Sequence, residues 1–178
     1  MVSQLESRSL NSPSRPNYTI EGLVQVFTSS QRSFFTNVMA QALRIAGQGT
    51  PVLVVQFLKG GIGQGHEHPA RLGQNLDWVR CDLLRYIDTP ELDEAEYRAI
   101  KQLWHYTQEI VFSGKYSLVV LDELSLAINF GLIAQEDVLA FLEKRPSHVD
   151  IILTGPKMPQ AILNVADQIT EIRRSHQP

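Results

Sequence analysis

Gly22-Leu23-Val24-Gln25-Val26-Phe27-Thr28-Ser29-Ser30-Gln31-Arg32-Ser33-Phe34-Phe35-Thr36 passes from an apolar strand into a polar turn and on into a helix. Leu23 to Phe27 reads as a buried strand. Phe35, Val38, Met39, Ala42, Leu43 and Ala46 then recur at helical spacing and predict a helix over 34–46, closed by Gly47 and Gly49. Val52 to Leu58 is a second apolar, β-branched run, suited to a strand buried on both faces of a parallel sheet. Strand, turn, helix and strand in this order form the unit that can cradle a nucleoside triphosphate. Such a turn needs glycines, so that backbone N–H groups can curl around phosphate oxygens. It also needs a lysine for the terminal phosphates and a hydroxyl for magnesium. Thr28 to Thr36 offers no glycine and no lysine.

The alternation continues beyond this unit. Residues 59–75 are glycine-rich, contain His66, His68 and Pro69, and read as a long loop; Leu76–Leu83 reads as a strand. Residues 93–112 predict a helix with Tyr97, Ile100, Trp104, Thr107 and Val111 on one stripe and Gly114 past its end. A strand at 117–121, a helix at 135–144 stopped before Pro146, a strand at 149–153, a short helix at 159–166 and a strand at 169–172 complete the pattern. Strands separated by helices require crossovers. The expected fold is therefore α/β, a mostly parallel sheet flanked by helices on both faces. Residues 1–17, rich in Ser, Asn, Arg and Pro, read as a flexible tail before a single domain over 18–178.

Composition bounds the function. The 178 residues carry 16 Lys and Arg against 19 Asp and Glu, a net charge of -3 with no basic run, which argues against nucleic acid as a partner. No apolar stretch approaches the ~20 residues of a membrane span. The one cysteine, Cys81, excludes an internal disulfide and reads as a packed thiol. With no apolar leader at the N-terminus, a cytoplasmic location is expected.

The sharpest chemical signal is Asp122-Glu123, at the end of the apolar run Ser117 to Leu121. Ligands in open parallel sheets bind at the carboxyl ends of strands, and a carboxylate there can hold magnesium that bridges phosphates. The plainer alternative is a solvated pair at the start of a helix. Gly60-Gly61-Ile62-Gly63-Gln64-Gly65 lacks a following helix and reads as a connector rather than a phosphate loop. His66 and His68 around Glu67 lack a clear third ligand. Trp104 fits the core stripe. Arg32 suits either an anion contact or an exposed position.

Taken in order, several stretches resemble the P-loop-fold corrinoid adenosyltransferases, the ATP:cob(I)alamin or cob(I)yrinic acid a,c-diamide type. They are Gly22 to Thr28, Ala42 to Gly49, Val54 to Gly60, Val119 to Leu124, Arg145 to His148, Ile152 to Gly155 and Ala166 to Glu171. The resemblance implies a P-loop NTPase-like (RecA-like) three-layer sandwich. It implies ATP on the loop, magnesium on its phosphates, and a cob(I) corrinoid that attacks the 5′ carbon and releases triphosphate. Asp122 and Glu123 would stand at the metal, with Gln56 and Lys59 lining the pocket mouth and Thr154 and Gly155 at a neighbouring strand end. A homodimer is also implied.

Against the family loop Thr-Gly-x-Gly-Lys-Gly-Lys-Thr-Thr, only Thr28 and Thr36 are kept. Ser29, Gln31 and Ser33 take the glycine positions around Ser30, Arg32 replaces the inner lysine, Phe34 the phosphate lysine, and Phe35 the magnesium threonine. The aromatic Gly-Phe-Thr-Trp stretch of one branch is absent, leaving Tyr86, and the chain stops at Pro178 where relatives carry a glycine-containing tail. Removing one charge-assisted hydrogen bond to phosphate weakens ATP binding by about 1.5–3 kcal/mol. The favoured expectation is a non-catalytic relative that keeps the fold and binds a corrinoid, another small ligand or a protein partner. The alternatives are an active ATP:corrinoid adenosyltransferase with an unusual ATP site, and an enzyme that reuses the acidic pair.

Overall fold

The computed structural model describes residues 21–61, 63–173 and 175. The expected tail at 1–17 and the last residues, 176–178, lie outside them. Seven strands form one sheet: β1 (Val24–Ser29), β2 (Val52–Gln56), β3 (Ala70–Leu72), β4 (Leu76–Arg80), β5 (Leu118–Asp122), β6 (Asp150–Pro156) and β7 (Gln168–Ile172), in the order β3-β4-β2-β5-β6-β1-β7. All neighbours are parallel except β3, which runs antiparallel to β4. Helix α1 (Thr36–Gly47) joins β1 to β2. Helix α2 (Glu94–Phe112) precedes β5, and α3 (Leu124–Asn129), α4 (Gln135–Lys144) and α5 (Gln160–Val165) follow it. This is the expected α/β three-layer architecture, of P-loop NTPase-like type.

The pleat sorts the apolar runs into two cores. Val52 and Val54 of β2 face α1, where they meet Phe35, Val38, Met39, Ala42 and Ala46. Leu53 and Val55 face the opposite layer, with Ile100, Trp104, Leu124, Val138 and Ile162 from the other four helices. Trp104 lies within this core, its ring edge-on to Phe141 at 5.2 Å between centroids and tilted against Phe57 at 6.1 Å. Buried aromatic pairs of this kind add about 0.5–1.5 kcal/mol beyond burial. Helix α2 starts at a capping box: Asp93 accepts from the Glu96 N–H, and the Glu96 carboxylate accepts from the Asp93 N–H. It ends before Gly114, whose φ of +69° is the left-handed turn that releases the chain. No described helix is long and apolar enough to cross a membrane.

Four expectations need correction. The loop at 59–75 contains β3, held by its ladder to β4 rather than by strand propensity of its own. β4 ends at Arg80, because the chain turns at Cys81 to place Leu83 and Ile87 in the core. Helix α1 begins at Thr36 rather than 34, since Phe35 has non-helical backbone angles. Tyr97 lies on the exposed side of α2, and Leu103 takes its place in the buried stripe.

Candidate functional site

Strands β1, β2, β5 and β6 point their carboxyl ends to one side of the sheet. There they bring together the loop 28–36, Gln56 and Lys59 after β2, Asp122-Glu123 after β5, and Thr154-Gly155 within β6. The parallel register brings these residues, far apart in sequence, to one sheet end, with Gln56 opposite Asp122 and Thr28 opposite Gly155.

Asp122 is buried and fully engaged. Its Oδ2 accepts from Gln56 Nε2 at 2.8 Å and from Lys59 Nζ at 2.8 Å, and its Oδ1 accepts from Thr154 Oγ1 at 2.8 Å. Gln56, only 1% exposed, is oriented in turn by Trp78 Nε1 and Arg80 Nε, both donating to its Oε1 at 2.9 Å. Two donors on the amide oxygen turn its NH2 toward Asp122. Gln56 therefore stands behind the acid rather than at the pocket mouth, and Thr154 and Gly155 are likewise buried.

Glu123 is the unusual member of the pair. It is buried, yet its φ of 59° and ψ of 25° place a non-glycine residue in the left-handed region. Such a conformation costs about 1–3 kcal/mol and persists where the surroundings fix it. Here the fixing partner is Arg32, from the loop between β1 and α1. Arg32 Nε and Nη2 donate to the two oxygens of Glu123 at 2.6 and 2.8 Å, and Nη1 donates to the Ile87 carbonyl at 2.8 Å. The guanidinium also lies over the Tyr86 ring, 3.9 Å from its centroid. Burial pulls the Arg32 pKa down, but the hydrogen bonds and charge of Glu123 outweigh it and hold the pKa above the usual arginine value. Arg32 is thus neither a free anion contact nor an exposed arginine. The signal that sequence reading missed is its partner, 91 residues away.

The two phenylalanines part company. Phe35 is 1% exposed and packs under α1 with Val38, Val54 and Val120, whereas Phe34 is 58% exposed, its ring 5.0 Å from Lys59 Nζ. The other loop side chains bond within the loop or to β6: Ser29 Oγ and Ser33 Oγ donate to the Gln31 carbonyl, and Thr28 Oγ1 donates to the Gly155 carbonyl. Ser30 and Thr36 are exposed, and no described side chain caps the start of α1. The open space at the site is a cleft of about 220 Å³ lined by Arg32, Ser33, Phe34, Lys59, Tyr86 and Glu123. That is below the ~300–1,000 Å³ of ordinary ligand pockets, so a large ligand would lie across it rather than inside it.

The histidine loop gathers no comparable set. His66 packs against the Tyr106 ring at 5.3 Å, and among the described residues no group of three His, Cys, Asp or Glu side chains is arranged to hold a metal ion. Cys81 is buried, and desolvation pushes its thiol up to about 12.

Residues 20–178 match the model of the family described as ATP:corrinoid adenosyltransferase BtuR/CobO/CobP. Among curated proteins, the chain is 29% identical over 153 residues to the corrinoid adenosyltransferase CobA of Salmonella typhimurium, spanning 85% of this chain and 76% of that one. It is 26% identical over 170 residues to a corrinoid adenosyltransferase of a Sinorhizobium species, spanning 89% and 75%. It is also 29% identical over 133 residues to an uncharacterized protein of a Nostoc species, spanning 71% of this chain and 35% of that one. The magnesium that the family resemblance implies does not fit the acidic pair as it stands. Both oxygens of Glu123 and both of Asp122 face donors of this chain, and Phe35 at the entry to α1 lies in the core.

Proposed function

The chain belongs to the ATP:corrinoid adenosyltransferase BtuR/CobO/CobP family, and from that premise we propose that it is a non-catalytic relative that binds a corrinoid without adenosylating it. Phe35 carries the reading. At 1% exposure it fills the core beneath α1, so the position that supplies the metal hydroxyl in the family loop holds a packed ring. No rotation of that side chain supplies an oxygen, and moving it outward would open a cavity. Phe34, beside it, presents a ring to solvent where the phosphate lysine would stand. A corrinoid is favoured over another small ligand or a protein partner because the half-exposed Phe34 and Tyr86 rings flank the cleft. They offer apolar faces to a flat molecule lying across it.

Calorimetric titration with magnesium and ATP, beside a cob(I)alamin adenosylation assay and a thermal shift with cobalamin, tests the reading. The expected result is no saturable ATP heat, no cobalt–carbon bond, and a higher melting midpoint with cobalamin. Micromolar ATP binding with bond formation would overturn it in favour of an active adenosyltransferase whose Arg32 and uncapped α1 start meet the phosphates. No shift with cobalamin would remove the corrinoid.

A further inference from the structure

We propose that Arg32 is a built-in counter-ion that takes the place of a divalent cation at Glu123, so that the acidic pair is closed to metal while Arg32 holds it. This deepens the non-catalytic reading and rests on it, because an enzyme that needs a phosphate-bridging metal could not keep the pair closed.

The oxygens of the pair account for themselves one by one. Glu123 Oε1 takes Arg32 Nε at 2.6 Å and, more weakly, the Tyr86 hydroxyl at 3.4 Å. Glu123 Oε2 takes Arg32 Nη2 at 2.8 Å and has Lys59 Nζ at 3.9 Å. Asp122 Oδ2 takes Lys59 and Gln56, and Oδ1 takes Thr154. Two carboxylates face two cations, and their formal charges cancel. A metal would have to displace a bidentate guanidinium, the arrangement in which a planar fork matches a carboxylate best. Arg32 and Lys59 present only N–H donors and cannot themselves ligate magnesium, which demands oxygen donors in near-octahedral geometry.

The guanidinium is also held from outside the pair. Its third hydrogen bond, to the Ile87 carbonyl, and its stacking on Tyr86 fasten it to the segment after β4. Ile87 is itself buried and donates its N–H to the Leu58 carbonyl at 2.9 Å. Arg32 is therefore held at once by the end of β5 and by the segment after β4.

The test uses manganese alone, followed by paramagnetic resonance and calorimetry on the full chain, with no nucleotide or corrinoid present. Its failure is thereby distinct from failure of the non-catalytic reading, which is scored with ATP and cobalamin. Wild type is expected to show no saturable site at millimolar manganese. Arg32→Gln should bind at least about tenfold more tightly, since an uncompensated carboxylate attracts a divalent ion strongly at low effective dielectric. Arg32→Gln with Glu123→Gln should lose that gain. Equal binding by wild type and Arg32→Gln overturns the proposal, as does a gain that survives Glu123→Gln. If Arg32→Gln does not fold, Arg32→Lys serves, because one ammonium cannot grip both oxygens. Its expected affinity is above wild type, and a wild-type melting midpoint that rises with manganese overturns the proposal without any variant.

Discussion

Thr154 Oγ1 donates to Asp122 Oδ1 at 2.8 Å and, as an acceptor, receives the backbone N–H of Glu123 at 3.0 Å. One hydroxyl on β6 thus fixes a side chain and a backbone turn at the end of β5. The left-handed conformation of Glu123 depends on the second of these bonds as well as on Arg32. Thr154→Val keeps the shape and removes both bonds, leaving a buried N–H and a carboxylate oxygen short of partners. Each group left unpaired costs about 1–3 kcal/mol. The midpoint of urea unfolding should fall accordingly, and Thr154→Ser should recover most of the loss.

Gly155 follows in the same strand with φ of +135°, and a Cβ there would collide with Ser125 Oγ. Ser125 is placed by its own hydrogen bond to the Pro156 carbonyl at 2.7 Å. Gly155→Ala should therefore destabilise by about 1–3 kcal/mol from backbone strain alone, plus the collision. Ser125→Ala in the same chain should return only the collision part. A double-mutant cycle by chemical denaturation separates the two, and full recovery in the double variant would show that the backbone angle carries no strain.

The far end of the sheet predicts the acid response. Asp77, buried on β4, accepts from Arg71 Nε at 3.0 Å and from the Tyr116 hydroxyl, with Lys115 Nζ at 3.6 Å. Burial raises its pKa, but the hydrogen bonds from Arg71 and Tyr116 and the nearby charges outweigh it, so the net shift is downward. A carboxylate with a depressed folded pKa stabilises the protein above its unfolded value, near pH 4, and that contribution fades as pH falls toward the folded value. Asp77→Asn should flatten the loss of stability below about pH 4 while lowering stability at neutral pH. An unchanged acid limb in thermal melts across pH would count against this assignment.

How much of this is legible in the sequence follows from the range of the interactions. Strands β2 and β5 announce themselves as apolar runs, and α2 by its stripe and the glycine past its end, because local pattern sets them. β3 has three residues and exists through its ladder to β4; α3 has six and follows directly from the strained Glu123. Neither is long enough to carry a periodic signal. The acidic pair can be picked out as a strand end. What grips it cannot, since a guanidinium 91 residues away and a carbonyl at Ile87 leave no mark on the spacing of either segment. The resemblance sets Phe34 and Phe35 against a lysine and a threonine of the family loop, but nothing in the sequence shows that one ring is exposed and the other buried.

That divergence makes the two loop positions unequal under mutation. Phe34 is 58% exposed, so Phe34→Lys removes only surface packing and the approach to Lys59. Its cost should stay within about 0.5 kcal/mol, as for other exposed changes. Phe35 sits among Val38, Met39, Val54 and Val120, and Phe35→Thr would trade a buried ring for a small side chain with a hydroxyl. The cavity costs about 3–5 kcal/mol by analogy with Phe→Ala, before the hydroxyl's own desolvation. Restoring the family residue at 35 should therefore unfold or soften α1 rather than rebuild a metal site. Hydrogen exchange across residues 36–47 and thermal melts of the two single variants check this. Comparable stability of both would mean that Phe35 can leave the core, and the missing hydroxyl would then be a matter of side-chain identity alone.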